Sequence, residues 1–404
     1  MSSPITTHHT QCCVVGGGPA GILLAFLLAR KGIDVTLLEA HTDFDRDFRG
    51  DSLNSSVMEI LDELDLADRL LEIPHSKIRT LTIQTAKGPY TVTDYGRLKT
   101  RYPFIVLLPQ HRFLEFMVQE ARQFPNFRLV MNARVRELIQ ENGQTRGVVY
   151  QGSDGLHAVR TNLVVGADGR SSKIRQLAGL KPKKISAPMD VLWFRLPRLP
   201  GDKDFANLSV HVGRGYYFAL MDRPDYWQIS CVISKGTYRQ FKENGLEAFK
   251  TSLTDLIPEF SNRMDDLTDW KQISFLSVES SRVPRWYLPG LLLIGDAAHV
   301  MSSVGGVGIN CAIMDAVAAA NILAEPLQSG QLREKHLARV QKTRMWPTRM
   351  TQMFQSLAQR NLVAKALNPD TAFQVPRSLR IPLLRDLAAR VTAFGIFPAH
   401  VRKA

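Results

Sequence analysis

The chain has 404 residues, 45% hydrophobic and 22% charged, which is room for two packed domains or one large discontinuous one and excludes a disordered chain. Its 51 basic and 38 acidic residues give a formal charge of +13, but no recognition motif accompanies that charge, so nucleic acid is not expected as a partner. There is no uncharged apolar run of 18 residues, no basic or apolar cluster in the first ten, and no metal spacing among Cys12, Cys13, Cys231 and Cys311; a reduced, cytoplasmic protein without a membrane span is expected.

In chain order, His8 and His9 are expected to be disordered, and Gln11–Val15 to form a buried strand. A Leu- and Ala-rich helix over Pro19–Lys31 and a strand over Asp34–Leu38 follow. Strand, glycine turn, helix and strand within about thirty residues is the βαβ unit of a nucleotide-binding crossover. A helix is predicted over Ser56–Leu71, a hairpin in the alternating Thr, Ile, Val and Tyr of Ile78–Tyr95, and a helix over Arg112–Gln123. Strands are predicted at Phe127–Val130 and Arg134–Leu138, with a meander over Gly147–Gly152 and His157–Leu163. A strand-rich stretch follows at Asp190–Leu196, Leu208–Val212, Tyr216–Met221 and Tyr226–Ile233, then a buried strand at Leu291–Ile294 and a helix over Gly308–Leu323.

Gly16-Gly17-Gly18-Pro19-Ala20-Gly21 fits G-x-G-x-x-G between the first strand and helix. Gly16 permits the tight turn, Gly18 the close approach of a pyrophosphate, and Gly21 close helix–strand packing; the helix start supplies amide donors and a positive dipole end. Glu39 ends the second strand, where an acid can accept the adenosine ribose hydroxyls and would repel the 2′-phosphate of NADP. The loop therefore indicates a dinucleotide without choosing NAD or FAD.

Two further strand–glycine turns follow, Val164-Val165-Gly166-Ala167-Asp168-Gly169-Arg170-Ser171-Ser172-Lys173-Ile174-Arg175 and Leu291-Leu292-Leu293-Ile294-Gly295-Asp296-Ala297-Ala298-His299. In order and spacing, the three motifs resemble the fingerprints of the FAD-dependent monooxygenases of the para-hydroxybenzoate hydroxylase type, the class A flavoprotein monooxygenases. The likeness covers about Gln11 to Leu323. It implies an α/β fold: a Rossmann-like FAD-binding domain with an inserted β-sheet substrate domain and a C-terminal helical segment. The expected boundaries are residues 1–74, 103–183 and 276–350 for the FAD-binding parts, 75–102 and 184–275 for the substrate domain, and 351–404 for the C-terminal segment.

The resemblance also assigns residues. Asp296 would bind the ribityl hydroxyls, and Gly306, Gly308, Ile309 and Asn310 would offer backbone to the isoalloxazine ring, with the following helix aimed at its N1–C2=O edge. Most relatives have proline where Ser303 stands. Asp168 would touch FAD, Arg49 and Gln110 would lie near the pyrophosphate with Arg112 assisting, and Val135 would offer backbone atoms to adenine. NADPH or NADH as a transient co-substrate, molecular oxygen, and transfer through a flavin C4a-hydroperoxide to a small aromatic or polyketide-like molecule are implied, as hydroxylation or epoxidation. Water must be excluded from such a site and the flavin allowed to move.

The substrate is expected between the flavin and the inserted strands, where Arg195 or His211 could meet a phenolate; a packed sheet with both residues structural is the plainer alternative, and no catalytic base is assigned. His299 is expected to be a packing residue. Rival readings on the same scaffold are a halogenase, although the Trp-x-Trp-x-Ile-Pro segment of the tryptophan type does not occur; a lipid or isoprenoid reductase; and a non-catalytic FAD-binding sensor. A monomer or homodimer is expected. Residues 331–404 hold 14 basic and three acidic residues, +11 of the total charge. That segment either docks on the protein or makes peripheral contact with an anionic membrane.

Overall fold

The computed structural model describes residues 6–45, 51–85, 88–185, 187–202, 207–376 and 381–402. In chain order the main elements are β1 (Thr6–Val15), α1 (Pro19–Arg30), β2 (Val35–Leu38), α2 (Ser55–Glu63), β3 (Thr80–Thr85), β4 (Gly88–Asp94), α3 (Gln110–Ala121), β5 (Phe127–Val130), β6 (Arg134–Glu141), β7 (Gln144–Gln151), β8 (Leu156–Gly166) and α4 (Lys173–Leu177). Then come β9 (Met189–Pro197), β10 (Asn207–Val212), β11 (Tyr216–Asp222), β12 (Tyr226–Ser234), α5 (Leu246–Leu256), β13 (Ser274–Ser277), β14 (Leu291–Leu293), α6 (Gly308–Gln328), α7 (Glu334–Ala358) and α8 (Pro382–Phe394).

The first sheet runs Tyr287–Leu288, β14, β8, β1, β2, β5, parallel from β14 to β5, with β7 on β8 and β6 on β7 as an antiparallel meander. Parallel strands covered on both faces are apolar throughout, and Cys12 to Val15 and Val35 to Leu38 are all buried. α1 lies against this sheet with Ala20 to Ala29 buried on every side, which explains why its Leu, Ile and Phe are not confined to one stripe. These loops leave the carboxyl ends of β1, β8 and β14 together, the usual place for a ligand in an open α/β sheet.

The second sheet, β13-β9-β12-β11-β10-β3-β4, is almost wholly antiparallel. Period-two alternation divides its residues cleanly. Phe194, Phe218, Ile229 and Cys231 face outward onto Phe249 and Leu253 of α5, with Phe194 and Phe249 edge to face at 5.4 Å. Val191 and Val232, with Trp193 and Tyr217, face inward and pack with Val304 of the loop before α6. The mixed α/β architecture with an inserted sheet is therefore present.

Several details depart from the sequence reading. β1 begins at Thr6, and His8 and His9 pair with Val159 and Arg160 of β8, so they are ordered. The helix expected over Ser56–Leu71 is two: α2 ends at Glu63, Asp65 adopts φ 60°, and a short helix resumes at Ala67. The left-handed residue breaks the hydrogen-bond ladder. α7 runs through residue 350 without interruption. Val304–Gln328 is long and apolar enough to cross a membrane, but 83% of that window is buried inside the fold, as befits a core helix. α8 docks on the protein, burying Ala389 and Ala393, while Thr392 Oγ1 lies 3.2 Å from the Tyr95 hydroxyl.

Candidate flavin site

Gly16 sits at φ 103°, a conformation open to glycine, and an added Cβ there would lie 2.5 Å from the Ala167 carbonyl. A Cβ at Gly21 would lie 1.9 Å from Gly16 O. These two glycines therefore serve the packing of the loop. Gly18 differs: its Cβ would meet nothing within 4 Å. That open ground borders the first turn of α1, whose amides no side chain caps and whose N1 position is Pro19. It is a cradle that a side chain would fill, and it suits a pyrophosphate. Ala20 is buried beneath it.

Glu39 is buried at the end of β2, accepting the Gly17 N–H at 2.8 Å and the His41 N–H at 3.0 Å, with His41 Nδ1 at 2.6 Å. The acid is thus tied to the glycine loop itself. Val135 is buried on β6, just past Ala133, whose N–H donates to Glu39 O at 2.8 Å. Gln110 is the first residue of α3. Arg112 is turned outward, 3.7 Å from Glu115, so its visible role is a surface pair. Arg49 lies outside the described residues.

The other two turns close on the first. The Ala167 N–H donates to Val15 O at 2.8 Å, and the Ile294 N–H to Gly166 O at 3.0 Å. A Cβ on Gly295 would come within 3.2 Å of the Ala20 Cβ. Ser172 caps α4, and Asp168 supports that cap, accepting Ser172 Oγ at 2.5 Å and the Ile174 N–H at 2.9 Å; burial pushes the Asp168 carboxyl above the usual range against those bonds. Arg175, buried on α4, donates to Ala297 O at 3.0 Å and Arg170 O at 2.6 Å. Burial lowers its pKa, while Asp168 and Asp296 oppose that shift. One guanidinium therefore sits near the carboxylates of both later motifs.

Ahead of α6, Gly305 and Gly306 adopt φ 78° and 60°. Ser303 is at φ −68° and ψ −11°. Asn310 is buried, donating to Ser52 O and Gly306 O, both at 3.1 Å, and accepting the Asn54 N–H at 3.0 Å. Its side chain is a brace, and any flavin contact falls to the backbone of Gly306, Gly308 and Ile309. The amide groups at the start of α6 have no side-chain cap.

Asp315, Arg344, Asp51 and Arg223 were missed in the sequence. Asp315 of α6 is fully buried and accepts the Gly295 N–H at 3.0 Å, His299 Nε2 at 2.6 Å and Arg344 Nε at 2.8 Å. Burial alone would raise its carboxyl; the charge and hydrogen bond of His299, with those of Arg344, outweigh it and hold the group below the usual range. His299 is thus a buried packing and hydrogen-bonding residue, as expected. Arg223, at the turn after β11, is 1% exposed and donates to Asp51 Oδ2 at 2.5 Å and Gln228 Oε1 at 2.9 and 2.6 Å. A polar residue inside an apolar pattern was the only signal for Asp315; the two arginines had none. His211 faces outward with Phe218's side of the sheet, where burial lowers its pKa near Glu259. It lies on the face of the sheet opposite to the one that packs with Val304 of the loop before α6. Arg195 shares the inner face with Trp193 and lies 4.9 Å from the Tyr226 ring.

Three glycine turns on the carboxyl ends of parallel strands, a buried acid tied to the first of them and an uncapped helix start define a dinucleotide-binding protein. Residues 9–353 match the family described as FAD binding domain. The chain belongs to that family and is a class A FAD-dependent monooxygenase. A 6-methylpretetramide 4-monooxygenase of Streptomyces rimosus is 34% identical over 407 residues, covering 99% of this chain and 96% of that protein. PqsL, a probable FAD-dependent monooxygenase from Pseudomonas aeruginosa, shares the fold with a TM-score of 0.75 at 18% identity, covering 88% of this chain and 97% of its own. The flavin-dependent brominase Bmp2 does so with 0.77 at 17%, covering 96% and 94%.

Proposed function

We propose that the protein consumes NADPH or NADH to place one oxygen atom on a small aromatic or polyketide-like substrate. The inner face of the inserted sheet carries this reading: Trp193 and Tyr217 lie on it and pack with Val304 of the loop before α6, so a substrate bound at the edge of that seam would meet the sheet on one side and the loop on the other. Such a surface suits a planar, largely apolar molecule, with Ser230, Gln228 and Arg195 as polar groups toward one end of that face. The Streptomyces relative is named for oxygenation of 6-methylpretetramide, which supports the reading.

In this reading Gly18, Pro19 and the first-turn amides of α1 cradle the pyrophosphate above the loop that Gly16, Ala20 and Gly21 pack, with Glu39 at the ribose and Asp296 at the ribityl chain. Gln110 adds a polar group at the start of α3, and Val135 borders the adenine. Bound FAD supplies electron transfer from the nicotinamide and activation of oxygen. The chain's own contribution is to hold the ring edge at the start of α6, where amide dipoles favour negative charge, and to exclude water with the inserted sheet. Asp168 and Arg175 steady the neighbouring turn.

The test is substrate-stimulated NAD(P)H oxidation with oxygen uptake by the purified yellow protein, over a panel of aromatic and polyketide precursors. A product heavier by one oxygen supports the reading. A halogenated product, a product gaining two hydrogens, or no turnover on the panel would each replace it.

The outer face of α7 continues through the next turn as an exposed stripe, Lys342, Trp346, Arg349, Met353, Leu357 and Arg360. Apolar and basic groups in alternation suit an anionic bilayer surface. We propose peripheral contact there, in a monomer or homodimer; sedimentation with anionic but not zwitterionic vesicles would support it, and equal recovery with both would remove it.

A further inference from the structure

α7 and the turn after it carry three buried glutamines, Gln352, Gln355 and Gln359, spaced three and four residues apart so that they share one face. All three reach the chain entering the flavin loop. Gln352 Nε2 donates to Ser281 O at 2.9 Å and Val300 O at 3.2 Å. Gln355 accepts the Ser302 N–H at 3.3 Å and donates to Ser302 O at 2.9 Å and Val304 O at 2.8 Å. Gln359 Nε2 donates to Ser302 Oγ at 2.6 Å, and that hydroxyl oxygen accepts the Val304 N–H at 3.2 Å.

Residues 300–302 are buried, so their backbone groups need partners other than water. An ordinary loop would find them within itself or in solvent. Here a helix outside the flavin-binding sheet provides them, immediately before Gly305 and Gly306, which hold positive φ. Ser303 lies between the bonded residues. Its φ of −68° is the angle a proline ring would impose, yet serine leaves that torsion free.

We propose that Gln355, assisted by Gln359, is a positioning residue that fixes Ser302–Val304 from outside, and so does for the flavin loop what a ring at position 303 would do from within. The inference rests on the reading that Val304–Asn310 borders the isoalloxazine. Gln355 touches only backbone, so it acts through the loop and not on the substrate.

The experiment compares Gln355→Ala, Ser303→Pro and the double variant in the FAD-loaded protein. The readouts are the FAD dissociation constant, the visible spectrum of the bound flavin, and product formed per NAD(P)H consumed. Gln355→Ala is expected to weaken FAD by about tenfold, to shift the flavin spectrum and to lower coupling. Ser303→Pro is expected to make the loop independent of Gln355, so that the double variant matches Ser303→Pro alone in all three. A purely structural glutamine would not be rescued by proline at a position it does not touch. The proposal is overturned if Gln355→Ala binds FAD and couples as the parent does, or if the double variant falls below Ser303→Pro alone. Should Gln355→Ala not fold, Gln359→Leu with the same rescue decides by the same criteria. Gly306→Val separates the underlying reading: its Cβ would lie 2.8 Å from Ser52 Oγ at an unfavourable φ. If that variant keeps FAD binding and spectrum, the flavin is misplaced. If it loses them while Gln355→Ala does not, only the ladder inference falls.

Discussion

Asp315 and Arg344 are 29 positions apart in sequence, on α6 and α7, yet the guanidinium Nε lies 2.8 Å from the carboxylate and neither side chain is more than 3% exposed. The same carboxylate holds the Gly295 N–H at the turn before Asp296. Removing one partner of a buried pair leaves an uncompensated charge. Arg344→Met is therefore expected to destabilise the fold by about 3–5 kcal/mol, read from urea denaturation of the apoprotein, with Arg344→Lys costing less.

The low-lying Asp315 carboxyl also sets a pH dependence. Its folded pKa is below the unfolded value, so its contribution is complete above the ordinary carboxylate range and is lost as pH falls through the folded pKa. Denaturation midpoints are expected to drop on acidification below that ordinary range. The drop is expected to be shallower in Asp315→Asn; equal slopes in the two proteins would contradict it.

Gly18 and Gly21 are expected to fail in different ways. Gly21→Ala forces a Cβ to within 1.9 Å of backbone, an overpacking cost of about 1–3 kcal/mol or more, seen as a lower melting temperature without cofactor. Gly18→Val meets no protein atom within 4 Å of its Cβ, so the apoprotein should melt as the parent does while FAD affinity falls about tenfold or more. Titration of apoprotein with FAD, beside apoprotein melting curves, checks both.

Asp51, just before α2 in the first part of the flavin-binding domain, and Arg223 tie that part of the chain to the inserted sheet. Asp51→Ala and Arg223→Met should each destabilise. Together they should cost less than the two added, because the second change removes the charge that the first leaves unpaired. A four-protein denaturation cycle measures the difference, and strict additivity would show that the pair is not coupled.

His211 shares the outward side of its strand with the partner position of Phe218. His211→Ala is expected to leave turnover and its pH profile within about twofold of the parent, as for an ordinary substitution away from the site. Steady-state kinetics over a pH series checks this.

The parts of this molecule that could be read from the sequence are those in which short-range pattern and function coincide. The glycine turn at Gly16–Gly21 needs its residue types for local steric reasons, so it was visible, as were the apolar parallel strands and the alternating strands of the insertion. Asp168 and Asp296 stood beside glycines that marked the turns. Arg344 and Arg223 could not be found this way: each acts through a partner far along the chain, and an arginine in a helix or turn looks the same whether solvated or buried. The inward and outward residues of β9 were separable by period two, but which side met the flavin loop depended on the packing of Val304 and α5. The break after α2 turned on one residue, Asp65, entering the left-handed region with no glycine to announce it.

Asn54 caps α2 and donates through Nδ2 to Thr392 O at 3.1 Å, while its own N–H is held by Asn310. A deletion mutant ending before residue 392 would thus lose more than a peripheral tail. It would release an anchor two hydrogen bonds away from Asn310, and the first symptom should be pale, cofactor-depleted preparations, ahead of any gross misfolding.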